Sequence, residues 1–479
     1  MIRPLPDVSR ACQSGQFAGI ESKYRNRLLI DGDTPEVLLA LFQISSFRKN
    51  YLNTIARYED LPEEFANRDL AQIMLAQAHL QAGNVCQVKS ILHGMAPQDA
   101  EAKMNRLGVL AELSALERDL DSLRSSTSEL FPHPVLTRHY FRYQSLIFEL
   151  EGDGSSAELL LRDALKESLS PDVEAMVTSL LATKLDREGH FSEAFDLAAR
   201  SGRALQQKYP SVNQAKLADN IISSCPVGLT PSSIEDQRPT FVIGMPRSGT
   251  TLLESIFSSH SKIGAVGESP DPVVMMELAC HRLKCAMPHL HTKFSPKMLL
   301  ELGSEQLPRL HSAGAVGDRI VNKALWLDRY VGILAAMFPE AKFIWIHRDP
   351  RDNLLSCFLH YIGAPQATTI PNLIDARVAH EKLMRHWQRM YPTRIFEISY
   401  EDLVANFNDK VHQMLSFLDL PSEKSCFQFH QSDRIAMTPS RDQVRKPINS
   451  SAISRWKNYE TCLAEVLEAF PEGRVSIPS

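Results

Sequence analysis

Paired cysteines, metal-binding clusters and long apolar runs are all missing from this sequence of 479 residues. Its 8 cysteines are scattered, none forms a C-x-x-C pair, and no group of cysteines and histidines has the spacing of a zinc site. We therefore expect reduced thiols in a reducing compartment rather than a disulfide framework. No acidic pair is placed to hold a metal either, so we expect no bound metal.

Membrane segments and a strong charge of either sign are also lacking. No stretch of 18 apolar residues occurs, and the first ten residues contain no apolar core of a signal sequence. The sequence thus predicts a cytoplasmic protein without a membrane span. The formal net charge of −5 gives no general attraction to nucleic acid or anionic lipid. Any anion site must therefore be a local basic cluster.

The sequence instead contains two regions that differ in composition and in the spacing of apolar residues. From about residue 33 to 209 it is rich in Ala, Leu, Glu, Gln and Arg, with apolar residues at helical spacing. Similar helical segments end at Gly83, Gly152 and Gly189, and a degenerate turn is predicted near Arg118. A period near 34 residues with two helices per unit resembles tetratricopeptide repeats, and a generic helical bundle is the alternative. Such an array would present a concave surface to a partner, to an acceptor substrate or to a second copy of the chain.

The second region begins after a stretch rich in proline, glycine and serine. Short β-rich runs at 240–244, 342–347 and 394–398 then alternate with helical segments, which predicts a parallel sheet covered by helices. We therefore predict a helical repeat domain over residues 1–225, a linker over 226–239 and an α/β domain of the P-loop type over 240–479.

A candidate phosphate loop follows the first of these strands. Gly244 and Gly249 are five residues apart, as in a nucleotide-binding P-loop, and glycine permits both the turn and a close approach of backbone to an anion. The position that carries the lysine of an ATPase loop is Thr250, which argues against ATP hydrolysis. The predicted anion-binding residues, through backbone N–H groups, hydroxyls or a guanidinium, are Arg247, Ser248, Gly249, Thr250 and Thr251.

A second basic anchor follows another predicted strand. Arg348 stands directly after the run 342–347, Pro350 suits a first helical turn, and Ser356 lies two turns into the helix. Without further context, Arg348 and Arg351 would be read as members of surface ion pairs.

Taken together, the two anchors resemble the sulfotransferases that use 3′-phosphoadenosine 5′-phosphosulfate (PAPS). The chain resembles the tyrosylprotein type more than the small-molecule type in Gly267–Glu268, Asn322–Lys323 and the stretches 337–343, 399–404 and 442–449. The resemblance covers about residues 240 to 456. It implies that the loop binds the 5′-phosphosulfate of PAPS and that Arg348 and Ser356 bind its 3′-phosphate. It also implies that an aromatic side chain packs near the adenine and that the C-terminal stretch closes over PAPS. The residues that match these positions are Tyr400, Gln443, Arg445, Lys446 and Arg455.

The catalytic residues follow from chemistry and resemblance together. We predict Glu268 as the general base, Lys323 as the cation that neutralises the leaving oxygen, and Arg247 as the group that holds the 5′-phosphate and sulfate. Ser440 or Arg441 could also reach the sulfuryl group, and this choice stays open. The family's usual base falls on Ser269, and a further 3′-phosphate arginine falls on His360. The fallback bases are His281, His289 and His291.

The predicted activity is transfer of a sulfuryl group from PAPS to an acceptor hydroxyl, of a protein tyrosine or of a carbohydrate. One alternative is a P-loop kinase or NTPase, and another is an inactive repeat scaffold that only binds PAPS. The expected partner is the acceptor, as a protein or peptide held by the repeats, and the chain could form a homodimer. No nucleic acid or membrane partner is expected.

Overall fold

The computed structural model describes residues 5–14, 16–130, 137–206, 213–312, 317–360, 365–432 and 444–475. The first part of the chain is helical throughout these ranges. Its helices are α1 Pro6–Ser14, α2 Phe17–Asp31, α3 Pro35–Phe47, α4 Tyr51–Glu59, α5 Glu63–Ala66, α6 Asp69–Gln81, α7 Val85–His93, α8 Ala100–Glu117, α9 Leu120–Ser128, α10 Thr137–Leu150, α11 Gly154–Ala164, α12 Pro171–Glu188, α13 Phe191–Gln206 and α14 Gln214–Ser224.

Strands and helices alternate in the remainder of the chain. The strands are β1 Pro239–Ile243, β2 Ile263–Ala265, β3 Arg319–Asn322, β4 Lys342–His347 and β5 Ile395–Ser399. The helices are α15 Thr250–Ser258, α16 Asp271–Leu283, α17 Pro296–Ser312, α18 Val331–Met337, α19 Pro350–Leu359, α20 Ile370–Met390, α21 Tyr400–Ala405, α22 Phe407–Phe417, α23 Lys424–Phe427 and α24 Ala464–Ala469. Short 3₁₀ helices span Met287–Thr292, Leu327–Tyr330, Pro365–Ala367, Phe429–Gln431 and Arg455–Cys462.

The chain divides into two compact units, each assembled from three separate segments. The first unit contains residues 1–96, 218–347 and 383–448, and the second contains residues 97–217, 348–382 and 449–479. The predicted domain boundaries at residues 225 and 240 follow the change in sequence composition, and they stay a prediction.

The sheet of the first unit is parallel, as predicted, with the strand order β2-β3-β1-β4-β5. The three strands expected from the sequence are confirmed within about two residues, and β2 and β3 were missed. Because all five strands are parallel, their carboxyl ends meet at one edge of the sheet. The segments that follow β1, β2, β3 and β5 therefore begin at the same edge, where ligands of open α/β sheets bind.

One apolar core fixes α15 on this sheet. Leu253, Ile256 and Phe257 of α15 are fully buried and belong to the same core cluster as Ile344 and Met414. Burying a side chain of this size stabilises the fold by about 1.5–3 kcal/mol. The core thus holds the start of α15, and the loop before it, rigidly at the edge of the sheet.

Among the described helices of the predicted repeat region, consecutive pairs include α6 with α7 in the first unit and α8 with α9, α10 with α11 and α12 with α13 in the second. The turn between the members of each pair contains one left-handed residue. These are Gly83, Arg118, Gly152 and Gly189, with φ between 57° and 87°. The predicted turns are therefore present at intervals of about 35 residues, and the assignment to tetratricopeptide repeats stays a prediction.

The first helices of the chain are anchored on the α/β part of the first unit through charged side chains. Helix α2 packs against α16, and α4 packs against α17. Arg48, almost fully buried, pairs with Glu21 at 3.2 Å and also with Glu277 of α16. Arg25 pairs with Glu21 at 2.9 Å and with Glu305 of α17. Residues 1–96 are thus packed onto the sheet domain rather than only tethered to it.

The cysteines with described side chains are free thiols, of which Cys225, Cys357 and Cys426 are buried. Burial raises the pKa of both Cys225 and Cys426 to about 11. These thiols are accordingly protonated and unreactive at neutral pH.

Across the part of the chain with assigned positions, none of the helices has the length and apolar character that crossing a membrane requires.

Candidate functional site

The loop between β1 and α15 has a shape that only glycine allows at its two ends. A Cβ atom at Gly244 would lie 2.5 Å from Oγ of Ser248 and 2.6 Å from the carbonyl oxygen of Ile346. Gly249 has φ of +108°, and a Cβ there would lie 2.9 Å from both Ile346 and Tyr400 side-chain atoms. The loop therefore turns tightly against β4, and Gly249 also lies against the ring of Tyr400.

Inside this loop, Arg247 and Ser248 have different environments. Arg247 has φ of 66°, which is uncommon for a residue other than glycine and typical of functional loops, and its side chain is half-buried. Ser248 is buried, and its hydroxyl donates to the carbonyl oxygen of Met245 at 2.7 Å. The Ser248 side chain thus maintains the loop, and only Arg247 supplies a charged group from within it.

The first turn of α15 completes this predicted phosphate site. Thr250 and Thr251 are its first residues and both are buried. The N–H groups at the start of a helix carry a partial positive charge and have no intrahelical acceptor, so they favour an anion. Tyr400, which follows β5 directly, packs its ring against Gly249. Its predicted position near the adenine stays a prediction.

A buried lysine links the loop helix to the segment after β2. Lys323 follows β3 and its side chain is fully buried. Its Nζ lies 2.7 Å from Oε1 of Glu268 and 3.5 Å from Oε2 of Glu254. A buried ammonium needs such partners, because taking an unpaired charge out of water costs several kcal/mol. Two carboxylates and one ammonium thus form a compact cluster at the carboxyl edge of the sheet.

Glu254 was missed by the sequence analysis. It lies one turn after Thr250 on α15 and is 6% exposed. The available signal was that Glu254 is the single charged residue of α15. An acid in a largely buried helix must find a partner. Glu268, by contrast, is 39% exposed, so a reacting group can reach its carboxylate from solvent.

The turn that carries Glu268 is tied to the end of β3. The N–H of Lys323 donates to the carbonyl oxygen of Gly267 at 3.0 Å, and Nδ2 of Asn322 donates to that of Ser269 at 3.2 Å. Ser269, where the resemblance places the family's base, is fully buried and donates its hydroxyl to Asp271 at 2.6 Å. Of these side chains, only that of Glu268 faces solvent as a potential base.

The second predicted anchor lies in the second unit. The Arg348 guanidinium donates to the carbonyl oxygen of Ala452 and lies 3.9 Å from Asp352. Asp352 in turn accepts from the N–H groups of Ser454 at 2.6 Å and Trp456 at 2.9 Å. Burial raises the pKa of the Asp352 carboxyl, against the opposing effects of these donors and of Arg348. Arg348 itself is more than nine-tenths buried. Polar groups of α19 and of the C-terminal segment surround it.

Two more predicted cofactor residues have described partners, namely Ser356, predicted at the 3′-phosphate, and Arg455, predicted in the stretch that closes over PAPS. Ser356 is half-buried on α19, and its carbonyl oxygen lies 2.8 Å from Nδ1 of His360. The Arg455 guanidinium pairs with Asp186 of α12, and the Tyr459 hydroxyl donates to the same carboxylate at 2.8 Å. Arg455 therefore fastens the C-terminal segment to a helix of the repeat region.

The remaining predicted residues lie between positions 440 and 446 of the sequence. Arg445 and Lys446 are exposed, whereas Ser440, Arg441 and Gln443 lie outside the described residues.

The fallback histidines differ in exposure. His281 and His289 are exposed, and burial lowers the pKa of His291 to about 4. Within the described ranges, no three or more His, Cys, Asp or Glu side chains are grouped so that they could hold a metal ion.

Part of the chain is similar to known proteins. Residues 239–424 match the model of the sulfotransferase family. An uncharacterized protein of Aquifex aeolicus is 31% identical over 251 residues, which is 50% of this chain and 33% of that protein. The protein-tyrosine sulfotransferase of Drosophila melanogaster is 24% identical over 45% of this chain and 46% of its own length. The chain thus covers from a third to about half of these relatives.

Part of the chain also aligns with solved structures. The sulfotransferase domain of the Synechococcus PCC 7002 olefin synthase aligns with 48% of this chain and 91% of its own, at 17% identity and a TM-score of 0.31.

Proposed function

We propose that this protein is a sulfotransferase that transfers a sulfuryl group from PAPS to an acceptor hydroxyl. The observation that carries the proposal is the buried Lys323, paired with Glu254 of the loop helix and with the exposed Glu268. The match of residues 239–424 to the sulfotransferase family supports it.

The residues at the loop fit a phosphosulfate group. Gly244 and Gly249 allow the loop to turn tightly against Ile346 of β4, and the start of α15 offers N–H donors. Arg247 adds a charged donor beside them. In this proposal Arg348 and Ser356 bind the 3′-phosphate. PAPS, when bound, supplies the activated sulfuryl group.

Glu268 and Lys323 perform the chemistry that the chain itself contributes. The Glu268 carboxylate accepts the proton of the acceptor hydroxyl, which makes the acceptor oxygen nucleophilic. Lys323 maintains a positive charge at the edge of the sheet, where it favours negative charge on the departing phosphate oxygen. Because Lys323 is fully buried and held by two carboxylates, this charge is fixed in place before the reaction begins.

The acceptor that we propose is a tyrosine hydroxyl of a peptide or protein. The support is the similarity to relatives named protein-tyrosine sulfotransferases. We further propose that the helix pairs are tetratricopeptide-like and hold this large acceptor. Thr250 in place of the P-loop lysine disfavours the NTPase alternative.

The direct test is transfer of radiolabelled sulfate from PAPS to tyrosine-containing peptides. Changing Glu268→Gln is expected to lower kcat by about 10²–10⁴-fold, because a positioned general base contributes that much. Affinity for 3′-phosphoadenosine 5′-phosphate (PAP) is expected to stay near that of the wild type.

Glu301→Gln, at an exposed position of α17, is the matched control and should leave transfer unchanged. Equal turnover of the Glu268 variant and the wild type would remove Glu268 from the mechanism. PAP binding without transfer to any tyrosine or carbohydrate acceptor would favour the inactive scaffold.

A further inference from the structure

Helix α4 of the N-terminal region touches the turn that carries Glu268. The hydroxyl of Tyr51 donates to the carbonyl oxygen of Val266, the residue that precedes the Gly267–Glu268 pair. The Tyr51 ring is buried in a cluster that includes Val266 and Ile320 of β3. Helix α4 therefore packs directly against the end of the sheet at which the candidate base stands.

A second contact between α4 and this turn is centred on Asp271. One carboxylate oxygen accepts from Nδ2 of Asn50 at 2.8 Å and also from Nδ2 of Asn53. The other accepts from the hydroxyl of Ser269 at 2.6 Å. Asp271 is 2% exposed, so these neutral donors replace the water that its carboxylate would otherwise bind.

The orientation of Asn50 is fixed from its other end as well. Its Oδ1 accepts from the N–H of Asn53 at 3.3 Å and caps the start of α4. Its amide nitrogen is thereby directed at Asp271, and the helix start and the turn are joined through one side chain.

Residues of both α4 and α15 also lie close to the turn at Gly267. Gly267 has φ of +59°, and a Cβ there would lie 3.1 Å from Oη of Tyr51 and 3.6 Å from Oε1 of Glu254. The backbone next to Glu268 therefore lies close to both Tyr51 and Glu254 of the Lys323 cluster. A shift of α4 would be transmitted to Glu268 directly.

We propose that Asn50, Tyr51 and Asn53 are positioning residues for sulfuryl transfer, which hold the 266–271 turn so that Glu268 stays paired with Lys323. This inference rests on the proposed function, because it concerns the geometry of the proposed base. The N-terminal helices then complete the active site in addition to any role in binding a partner. A displacement of about 1 Å at a reacting group can lower a rate by about 100-fold, so modest loosening of the turn has a measurable effect.

The test compares Tyr51→Phe with Tyr58→Phe in the full-length chain. Both changes remove one hydroxyl from the same helix, and the Tyr58 hydroxyl donates at 2.9 Å to the carbonyl oxygen of Ala66, away from the turn. For Tyr51→Phe we expect amide hydrogen exchange of residues 266–271 to become about tenfold faster and kcat to fall about tenfold, with KM for PAPS and PAP affinity within twofold. Tyr58→Phe should change neither exchange in this turn nor kcat.

A charge exchange provides an independent readout. Asn53→Asp places a second carboxylate against Asp271 and should lower kcat by about 100-fold. The double variant Asn53→Asp/Asp271→Asn restores one carboxylate and one amide, and it should recover at least tenfold of that loss.

The outcomes separate the two proposals. Unchanged exchange at 266–271 in Tyr51→Phe, or equal falls in kcat for both tyrosine variants, would overturn the positioning role. A folded wild type that neither binds PAP nor transfers sulfate would contradict the proposed function, while faster exchange in Tyr51→Phe alone would still support the control of this turn by α4.

Discussion

Replacing Lys323 with methionine is expected to lower kcat for sulfate transfer by about 10²–10³-fold, the usual effect of removing one fixed group that stabilises developing charge. Methionine is similar in length and apolar, so the change removes the ammonium with little change in volume. The affinity for PAP should change far less than kcat. Steady-state transfer of labelled sulfate together with calorimetric titration of PAP measures both quantities.

The same substitution leaves Glu254 buried without its cation, and breaking a buried pair in this way costs about 3–5 kcal/mol of stability. The double variant Lys323→Met/Glu254→Gln separates the two effects, because glutamine keeps the shape of Glu254 without its charge. We expect the double variant to unfold at a denaturant concentration closer to that of the wild type, and to remain inactive. A double variant that is both stable and active would show that Lys323 serves stability alone.

Changing Gly244→Ala is expected to reduce the free energy of unfolding by about 1–3 kcal/mol, as inserting a methyl group into a packed site does. The added Cβ would meet the carbonyl oxygen of Ile346 at 2.6 Å, which is backbone of a central strand and has little freedom to move. The loop must then move away from β4, so PAP affinity should fall at least about tenfold, in keeping with the loss of one charged hydrogen bond.

Gly94→Ala is the matched control for this prediction. Gly94 has φ of −82°, and a Cβ there would meet nothing within 4 Å. Its stability and PAP affinity should therefore equal or slightly exceed those of the wild type. Denaturant unfolding and PAP titration of both variants check the pair, and equal behaviour of the two would contradict the tight loop geometry.

Local patterns in the sequence were sufficient to predict the tight loop between β1 and α15 and its flanking elements. Gly244 and Gly249 mark a turn at a fixed spacing, and the apolar runs of β1 and β4 are buried on both faces, so neither prediction needed long-range information. Strands β2 and β3 were missed because they have 3 and 4 residues and because β3 begins with a charged residue, Arg319. Arg319 can be buried because distant parts of the chain accept from its guanidinium, through the carbonyl oxygens of Leu418 and Gln237 and the carboxylate of Asp419.

The positioning network could not be derived from sequence spacing. Asn50 and Asp271 are 221 residues apart, and each is an ordinary helix-capping or helix-starting residue when read locally. The pairing of Arg455 with Asp186 across 269 residues is a second example. No residue near Arg455 in the sequence indicates this partner. Buried polar partners are determined by packing of distant segments, which a motif does not encode.

The most direct test of the central claim is calorimetric titration of PAP, without added metal, into the wild type and Arg348→Ala. We predict micromolar binding by the wild type, at least about tenfold tighter than binding of ATP, and about 10–100-fold weaker PAP binding by the variant, as expected when a charged hydrogen bond to phosphate is lost. Absence of PAP binding by the folded wild type, or equally tight binding of ATP, would contradict the proposal that this protein is a PAPS-dependent sulfotransferase.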